Sequence, residues 1–368
     1  MNKLILGNLV YRPLRSVISA LAVAIEVIMI LSIVGIMYGI LNGSRDQQMG
    51  TGYDMLTRPG QGGALLNTSS ASANVKIADI LRKLPHVEVA APVNIKLTLG
   101  SSVENITGID FPSYNALRPF VFLAGGPFQQ PYDIIIDDVQ AASGKGSHVG
   151  DPIKVLNHAF RIVGIVQHGK GSRKFIPLET LDALDGNPGK ASAFFLRTES
   201  SPKFQDAVRH EILGTEGLTD WNVQTAQELL SQLTPEHIPA FNIGIRVVIA
   251  IAAVIGFLVI FQSMYTAVME RTREIGILKS MGAGKGTIVS VVLRETGLLA
   301  VTGVIIGIAA TYLLRAILHA RFPTMAFQFS LSWVAAAAGI TLLGALFGAL
   351  YPALKAASKD PIDALAYE

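Results

Sequence analysis

The chain has 368 residues, 50% of them hydrophobic and only 15% charged, with a mean hydropathy of +0.45 and a formal net charge of +3. Ordinary soluble domains carry about 25% charged residues, so the composition points to a membrane protein, and the small net charge gives no electrostatic footprint for nucleic acid. With no cysteine in the chain, disulfides, zinc–thiolate sites, thiol catalysis and cysteine lipidation are excluded.

The first apolar run covers 17–41. A cleaved signal sequence has an apolar core of about 7–15 residues followed by a small-x-small site. This run is longer and leads into Asn42, Gly43, Ser44 and Arg45, so it is expected to stay as a membrane anchor. A segment of 201 residues, 42–242, separates it from three further apolar runs at 243–267, 297–318 and 333–354. Each run has 22 to 25 residues, and a bilayer core needs about 20 in a helix. One span, a long segment and three more spans predict a folded domain on one side of the membrane. Basic residues choose the side. Lys3, Arg12 and Arg15 precede the first span, and Arg271, Arg273, Lys279, Lys285 and Arg294 lie between the second and third. Lys355 and Lys359 follow the fourth, while the connection between the third and fourth has only Arg321. The positive-inside rule then expects both termini and residues 268–296 in the cytoplasm, and 42–242 outside it.

Within 42–242, residues 53–57 read as a short strand and 57–74, rich in Gly, Ser, Ala and Asn, as a loop. Ile77, Ile80, Leu81 and Leu84 fall at i, i+3, i+4 and i+7, which predicts an amphipathic helix over 75–84. Pro85 stops it. Residues 87–99 read as a strand, with Pro92 arguing for an edge or a bulge. The order then recurs: a strand over 191–197, a helix over 202–213 opened by Pro202, a strand over 218–223 and a helix over 225–233. These two strand–helix–strand halves, about 45–100 and 190–240, predict a ferredoxin-like α/β unit split by an insertion. The insertion, 101–189, has short apolar runs at 134–136, 153–156, 160–166 and 174–176 between turn residues. It reads as a mostly β subdomain without a comparably long helix. The predicted fold class is a membrane α-helical protein of four transmembrane helices with a large extracytoplasmic α/β domain.

Catalytic motifs are not legible. Gly282-Ala-Gly-Lys-Gly-Thr invites a phosphate-loop reading but fails its register. Lys279 stands where the first Gly of that motif belongs, and Gly286 where Ser or Thr should follow the Lys. The glycines read as helix breakers, and no ATP site is expected on this chain. His148, His158 and His168 recur every ten residues but lack the paired spacing of metal ligands. They read as turn or surface histidines, and no metal is expected. Asp137-Asp138 ends a strand and reads as a cap for a helix from Val139 rather than an acid pair. A G-x-S-x-G elbow is absent. Asn67 and Asn105 head glycosylation triplets, which matter only in a eukaryotic secretory context. The chain is expected to have no catalytic residues and to bind no cofactor.

Three features of the spans and their flanks carry more. Glu26 lies about 13–14 Å into the first span, where a carboxylate costs roughly 2.5–3.5 kcal/mol. Arg246 and Arg315 lie near the opposite interface, about 28–32 Å from the cytoplasmic side, and are not level with it. Glu26 is thus either a neutral group bonded to a neighbouring backbone or hydroxyl, a group paired across an interface, or one facing a wet cavity. Gly303 with Gly307, and Gly344 with Gly348, are spaced for close helix approach and predict tight packing of the third and fourth spans. Finally, residues 270–283, Glu-Arg-Thr-Arg-Glu-Ile-Gly-Ile-Leu-Lys-Ser-Met-Gly-Ala, present an apolar knob on a short charged helix. That shape suits a groove on a partner protein; the alternative is a helix lying on the lipid surface.

With these residues in view the chain resembles the MacB/FtsX/LolC-type ABC transporter permease family. Residues 8–15, Asn-Leu-Val-Tyr-Arg-Pro-Leu-Arg, resemble its cytoplasmic interfacial helix, here 1–16. Val149-Gly-Asp-Pro-Ile-Lys-Val, Phe160-Arg-Ile-Val-Gly-Ile-Val and Ile176-Pro-Leu resemble its periplasmic core domain. Residues 270–283 resemble its coupling segment, and Tyr351-Pro-Ala with Asp360-Pro-Ile-Asp-Ala-Leu its C-terminal signature, in a cytoplasmic tail of 355–368. The resemblance implies a bacterial inner-membrane permease that pairs with itself or a related permease and works with a cytoplasmic ABC ATPase and a periplasmic adaptor. No ATPase domain lies within these residues, so ATP and Mg would be bound by a separate subunit. It implies that Arg273, Glu274, Ile277, Leu278, Met281 and Gly282 form the ATPase-coupling interface, and that ATP-driven closure moves the extracytoplasmic domains for efflux or for lipoprotein or lipid release. Glu26 departs from the small residue common at this point in the family. The competing reading is a membrane-anchored sensor, a regulator of cell-wall enzymes or a scaffold without transport.

Overall fold

The computed structural model describes residues 13–60, 71–99, 103–143, 146–234 and 238–359. Most of the expected interfacial helix at 1–16, Asn67 and the C-terminal signature from Asp360 onward lie outside them. In chain order the elements are α1 (Pro13–Thr51), β1 (Met55–Arg58), β2 (Ala73–Asn74), α2 (Ile77–Leu81), β3 (Val87–Leu99), β4 (Val103–Ile109), α3 (Phe111–Leu117), β5 (Phe122–Gly125), β6 (Asp133–Asp137) and α4 (Asp138–Ala141). There follow β7 (Pro152–Val155), β8 (His158–Val166), β9 (Lys174–Pro177), α5 (Leu178–Leu184), β10 (Lys190–Ala191), β11 (Ala193–Thr198), α6 (Gln205–Gly214), β12 (Asn222–Thr225) and α7 (Ala226–Gln232). Last come α8 (Pro239–Glu270), α9 (Thr272–Ser280), α10 (Lys285–Arg321) and α11 (Leu331–Ser358). Two compact units result: one from the described parts of Met1–Tyr38, Ala240–Ile317 and Phe327–Glu368, the other from Gly39–Pro239 and Leu318–Ala326.

In the first unit α1, α8, α10 and α11 are long and apolar enough to cross a membrane. Half of the apolar window of α1 is buried, against 22–33% for the other three, which makes α1 the hub. Val23, Val27, Ile30, Leu31 and Val34 of α1 are buried among Ile260 and Met264 of α8, Leu299 and Val304 of α10, and an alanine face of α11 at Ala345, Ala349 and Ala353. The outward faces keep large apolar side chains such as Val254, Leu258, Ile305, Leu313 and Phe347 exposed, as contact with lipid tails allows.

The sequence spacing predicts tight packing of the third and fourth spans at the glycine pairs; instead each pair receives a different helix. A Cβ at Gly303 would lie 2.6 Å from the Ala20 carbonyl and from Val23, and one at Gly307 would lie 2.8 Å from the Ala24 carbonyl and Val27, so this pair receives α1. A Cβ at Gly348 would lie 2.7 Å from the Phe257 carbonyl, and one at Gly344 3.8 Å from that of Ala253, so the second pair faces α8. Spacing marks a notch; which backbone enters it depends on three-dimensional packing.

The second unit is built on one sheet of order β12-β1-β11-β3-β4-β9-β6-β8-β5, with β7 paired to β8. Its first four strands are antiparallel throughout. With α2 between β1 and β3, and α6 between β11 and β12, they form the expected ferredoxin-like unit. Alternation sorts the side chains. Met55, Phe194 and Leu196 point to the face covered by α2 and α6, with Leu81, Val208 and Ile212. Leu56 and Phe195 point to the other face, with Tyr114, Phe120 and Phe175.

The insertion is mostly β, as expected, and its strands form no sheet of their own. β4 joins β3 antiparallel and β9 joins β4 in parallel, so the insertion's strands continue the same sheet. It also carries helices α3 and α5 of seven residues each, longer than the five of α2. Two turns of helix are too short to leave a periodic signal, although Asp110 caps α3 by accepting from the Ser113 N–H. Asp137 caps α4 in the same way, accepting from the Gln140 N–H at 2.6 Å. α2 is shorter than expected because 82–84 turn away before His86, at φ 65°. The last strand starts at Asn222 because Leu218 is buried from a turn instead.

β3 has the expected bounds but is central, between β11 and β4. Pro92 is tolerated for a local reason. The Val93 carbonyl accepts from Ser192 on the β11 side, so the Pro92 nitrogen faces the other way, where β4 pairing has ended at Val93–Ile109. Burial pushes the carboxyl of Asp182, which accepts from Asn94 Nδ2 at 2.9 Å, up to about 6.

Candidate coupling site

The charged segment after the second span folds as a separate short helix. α8 stops at Glu270, Arg271 breaks the helical run at φ −108° and ψ 16°, and α9 starts at Thr272. Its end is fixed by backbone chemistry. The Ala283 N–H donates to the Leu278 carbonyl and the Gly282 N–H to that of Lys279. These are the two bonds of a Schellman motif, which needs a left-handed residue after the helix. Gly282 supplies it at φ 92°. Gly282 therefore terminates the helix that it was expected to join as an interface residue.

Two basic residues hold α9 in place. Arg271 makes a bidentate pair with Glu295, about three turns into α10, at 2.8 and 3.0 Å. Glu295 is buried, and paired guanidinium donors are the geometry that offsets its desolvation. Lys279 donates to the carbonyls of Ala357 and Lys359 at the end of α11. Thr272 and Gly276 are buried beneath the helix, and Ile275 packs against the helical core.

The opposite face is open. Arg273, Glu274, Ile277 and Met281 are all exposed. Ile277 is 45% and Met281 78% exposed, one helical turn apart. Leu278 is half-buried at the flank. Four of the six expected coupling residues thus share one outward face, Leu278 borders it, and Gly282 shapes its end. The Arg271–Glu295 pair and the Lys279 anchor were missed from sequence; the one signal was a Glu lying just before an apolar span.

Glu26 sits elsewhere in the same helical unit. It is 4% exposed, and its carboxylate occupies the space left by the missing side chain of Gly256 on α8. Among the described residues its Oε1 has no hydrogen-bond partner, and the Thr341 hydroxyl of α11 lies beside the carboxyl. Arg315 instead lies over the Phe329 ring. His148, His158 and His168 take different local partners: Asp151, the Leu156 carbonyl and Asp138.

Family models match both halves of this architecture. Residues 246–361, from α8 through α9 to α11, match the FtsX-like permease C-terminal model. Residues 16–211, more than half of the chain, match the MacB-like periplasmic core domain. The chain belongs to the MacB/FtsX-type ABC transporter permeases. Its relatives include the macrolide export ATP-binding/permease protein MacB of Shewanella sp. (strain W3-18-1), 28% identical over 96% of this chain and 58% of that protein. Another is an uncharacterised ABC transporter permease of Methanocaldococcus jannaschii, 27% identical over 59% of this chain and 57% of that one. The chain thus spans less than three-fifths of the length of these relatives. The periplasmic region of MacB from Actinobacillus actinomycetemcomitans aligns over 50% of this chain and 94% of its own, at 14% identity and a TM-score of 0.39. As a member of this permease family with four membrane-crossing helices, the chain is a membrane protein.

Proposed function

We propose that the chain is the permease subunit of an exporting or extracting ABC transporter. A separate cytoplasmic ATPase, holding ATP and Mg, docks on the outward face of α9, and its closure moves the extracytoplasmic domains. The exported load is a small molecule in efflux, or a lipoprotein or lipid in release. The permease pairs with itself or a related permease and meets a periplasmic adaptor. The observation that carries this reading is the pair Ile277 and Met281, held outward on a helix whose other face is tied down by Arg271 and Lys279. An apolar face on a backbone already held in place between charges suits a protein groove better than a lipid surface, since little further ordering of that backbone is then needed on docking. Affinity purification of the tagged chain from its own host is expected to recover an ATPase with a Walker motif. Recovery of the chain without any such protein, under conditions that keep membrane complexes together, would overturn the reading.

The orientation in a bacterial inner membrane rests on the Lys and Arg distribution. In the cysteine-free background, an impermeant thiol reagent added to intact cells (with the outer membrane permeabilised where there is one) is expected to label Glu216→Cys and spare Arg273→Cys. The reverse pattern would invert the topology.

A further inference from the structure

The loop between β8 and β9, residues 167–173, gathers two segments that are distant in sequence. Its Gly169 carbonyl lies against Gly50, near the end of α1, so closely that no Cβ fits at position 50. A Cβ at Gly171 would lie 2.7 Å from the Thr51 hydroxyl oxygen. Gly52, at φ 88°, closes the same clamp from the other side, where a Cβ would lie 2.5 Å from the Arg118 Cβ. Between these contacts Lys170 is only 7% exposed. It donates to the Arg118 carbonyl at 2.8 Å, and its own carbonyl accepts from the Tyr114 hydroxyl at 2.6 Å. At the far end of the loop Arg173 donates to the Thr324 carbonyl at 3.4 Å. Residues 39–51 and 318–326 belong to the same compact unit as the sheet.

Backbone against backbone leaves no side chain to yield, and close-packed contacts transmit displacement rather than absorb it. The loop's central lysine is also fixed, since leaving would strip a buried ammonium of its acceptor. We propose that the β8–β9 loop is a rigid joint. Gly50 against Gly169, Thr51 against Gly171 and Arg173 against Thr324 bind the end of α1 and residues 318–326 to the sheet as one body. Displacement of these two segments reaches the domain through the joint, and Gly50, Gly169 and Arg173 are its positioning residues. The source of displacement rests on the coupling reading given above; the joint itself rests on these contacts.

Two experiments on the full chain with its ATPase, using ATP as the probe, decide it. A Cβ at 171, at φ 89°, would lie 3.8 Å from the Thr51 Cβ and 2.8 Å from the Tyr114 hydroxyl oxygen, which must shift to admit it; disulfides have a mean Cβ separation of about 3.8 Å. With no native cysteine to compete, Thr51→Cys with Gly171→Cys is expected to cross-link on oxidation and to hydrolyse ATP at the same rate as when reduced. A rate that stalls on oxidation and recovers with reductant shows that the contact must open, and overturns the joint. In the second experiment, spin labels at Glu216→Cys and Lys285→Cys report the distance change on trapping with ATP and vanadate. Gly50→Ala is expected to keep ATP turnover and ATPase co-purification but to lose that change. Gly43→Ala, whose new Cβ would meet only Ala326 among the described residues, at 3.7 Å, is expected to keep it. A change that survives Gly50→Ala removes the joint, whereas no change in the unsubstituted complex removes the coupling reading instead. Should Gly50→Ala not fold, the cross-link decides alone.

Discussion

Met281→Asp is expected to release the ATPase from the permease and abolish stimulated ATP turnover, while the permease still folds and inserts. Met281 is largely exposed and ends α9, so a charge there changes folding stability by only about 0.5 kcal/mol or less. The docked state is different. Truncating a buried interface anchor costs about 2 kcal/mol or more, roughly thirtyfold in affinity, and a carboxylate adds its own desolvation penalty. Arg273→Ala, at the rim, should act mainly on association rate and its salt dependence. The measurements are co-purification of the ATPase, ATP turnover, and thermal unfolding of the detergent-solubilised permease. Wild-type turnover and recovery in Met281→Asp would leave α9 as a helix on the membrane surface.

Gly307→Leu is expected to have the larger effect on folding. Position 307 receives the backbone of α1 at Ala24, and a carbonyl cannot rotate away as a side-chain tip can. The substitution must separate α1 from α10 and open the core around Val23, Val27, Leu299 and Val304. Overpacking costs about 1–3 kcal/mol in cores that can adjust, and this one adjusts by moving a whole helix. That is a large share of a total stability of about 5–15 kcal/mol. Thermal unfolding and protease resistance in detergent should both fall sharply. Gly339→Leu, where no described residue lies within 4 Å of the added Cβ, is the matched control and should behave as wild type. An unchanged midpoint for Gly307→Leu would show that α1 does not pack there.

What was legible in the sequence was what repeats locally. Twenty or more apolar residues in a row marked each span. A run rich in β-branched residues marked β3 to the residue, and apolar residues among charges marked the knob on α9, though not which of them face outward. Long-range pairing left no such trace. Arg271 and Glu295 are 24 residues apart, and nothing in either neighbourhood names the other. The glycine notches were visible, but their occupants were not. Pro92 was misread because the edge rule concerns where a nitrogen points, and that depends on where the neighbouring strand ends. The short helices of the insertion escaped because seven residues show barely two turns of period.

The way the insertion joins the sheet has a consequence for how such domains change length. Val93 on β3 and Ala193 on β11 are register partners, so everything between them departs and returns at one point. A single hairpin could close that point and leave β12, β1, β11 and β3 paired as they are, still covered by α2 and α6. The strands beyond β3 are additions at one open border of the sheet. Material can therefore be added there without disturbing the two crossovers on which the rest depends, but shedding all of it would bare Leu56 and Phe195, whose cover of Tyr114, Phe120 and Phe175 it supplies.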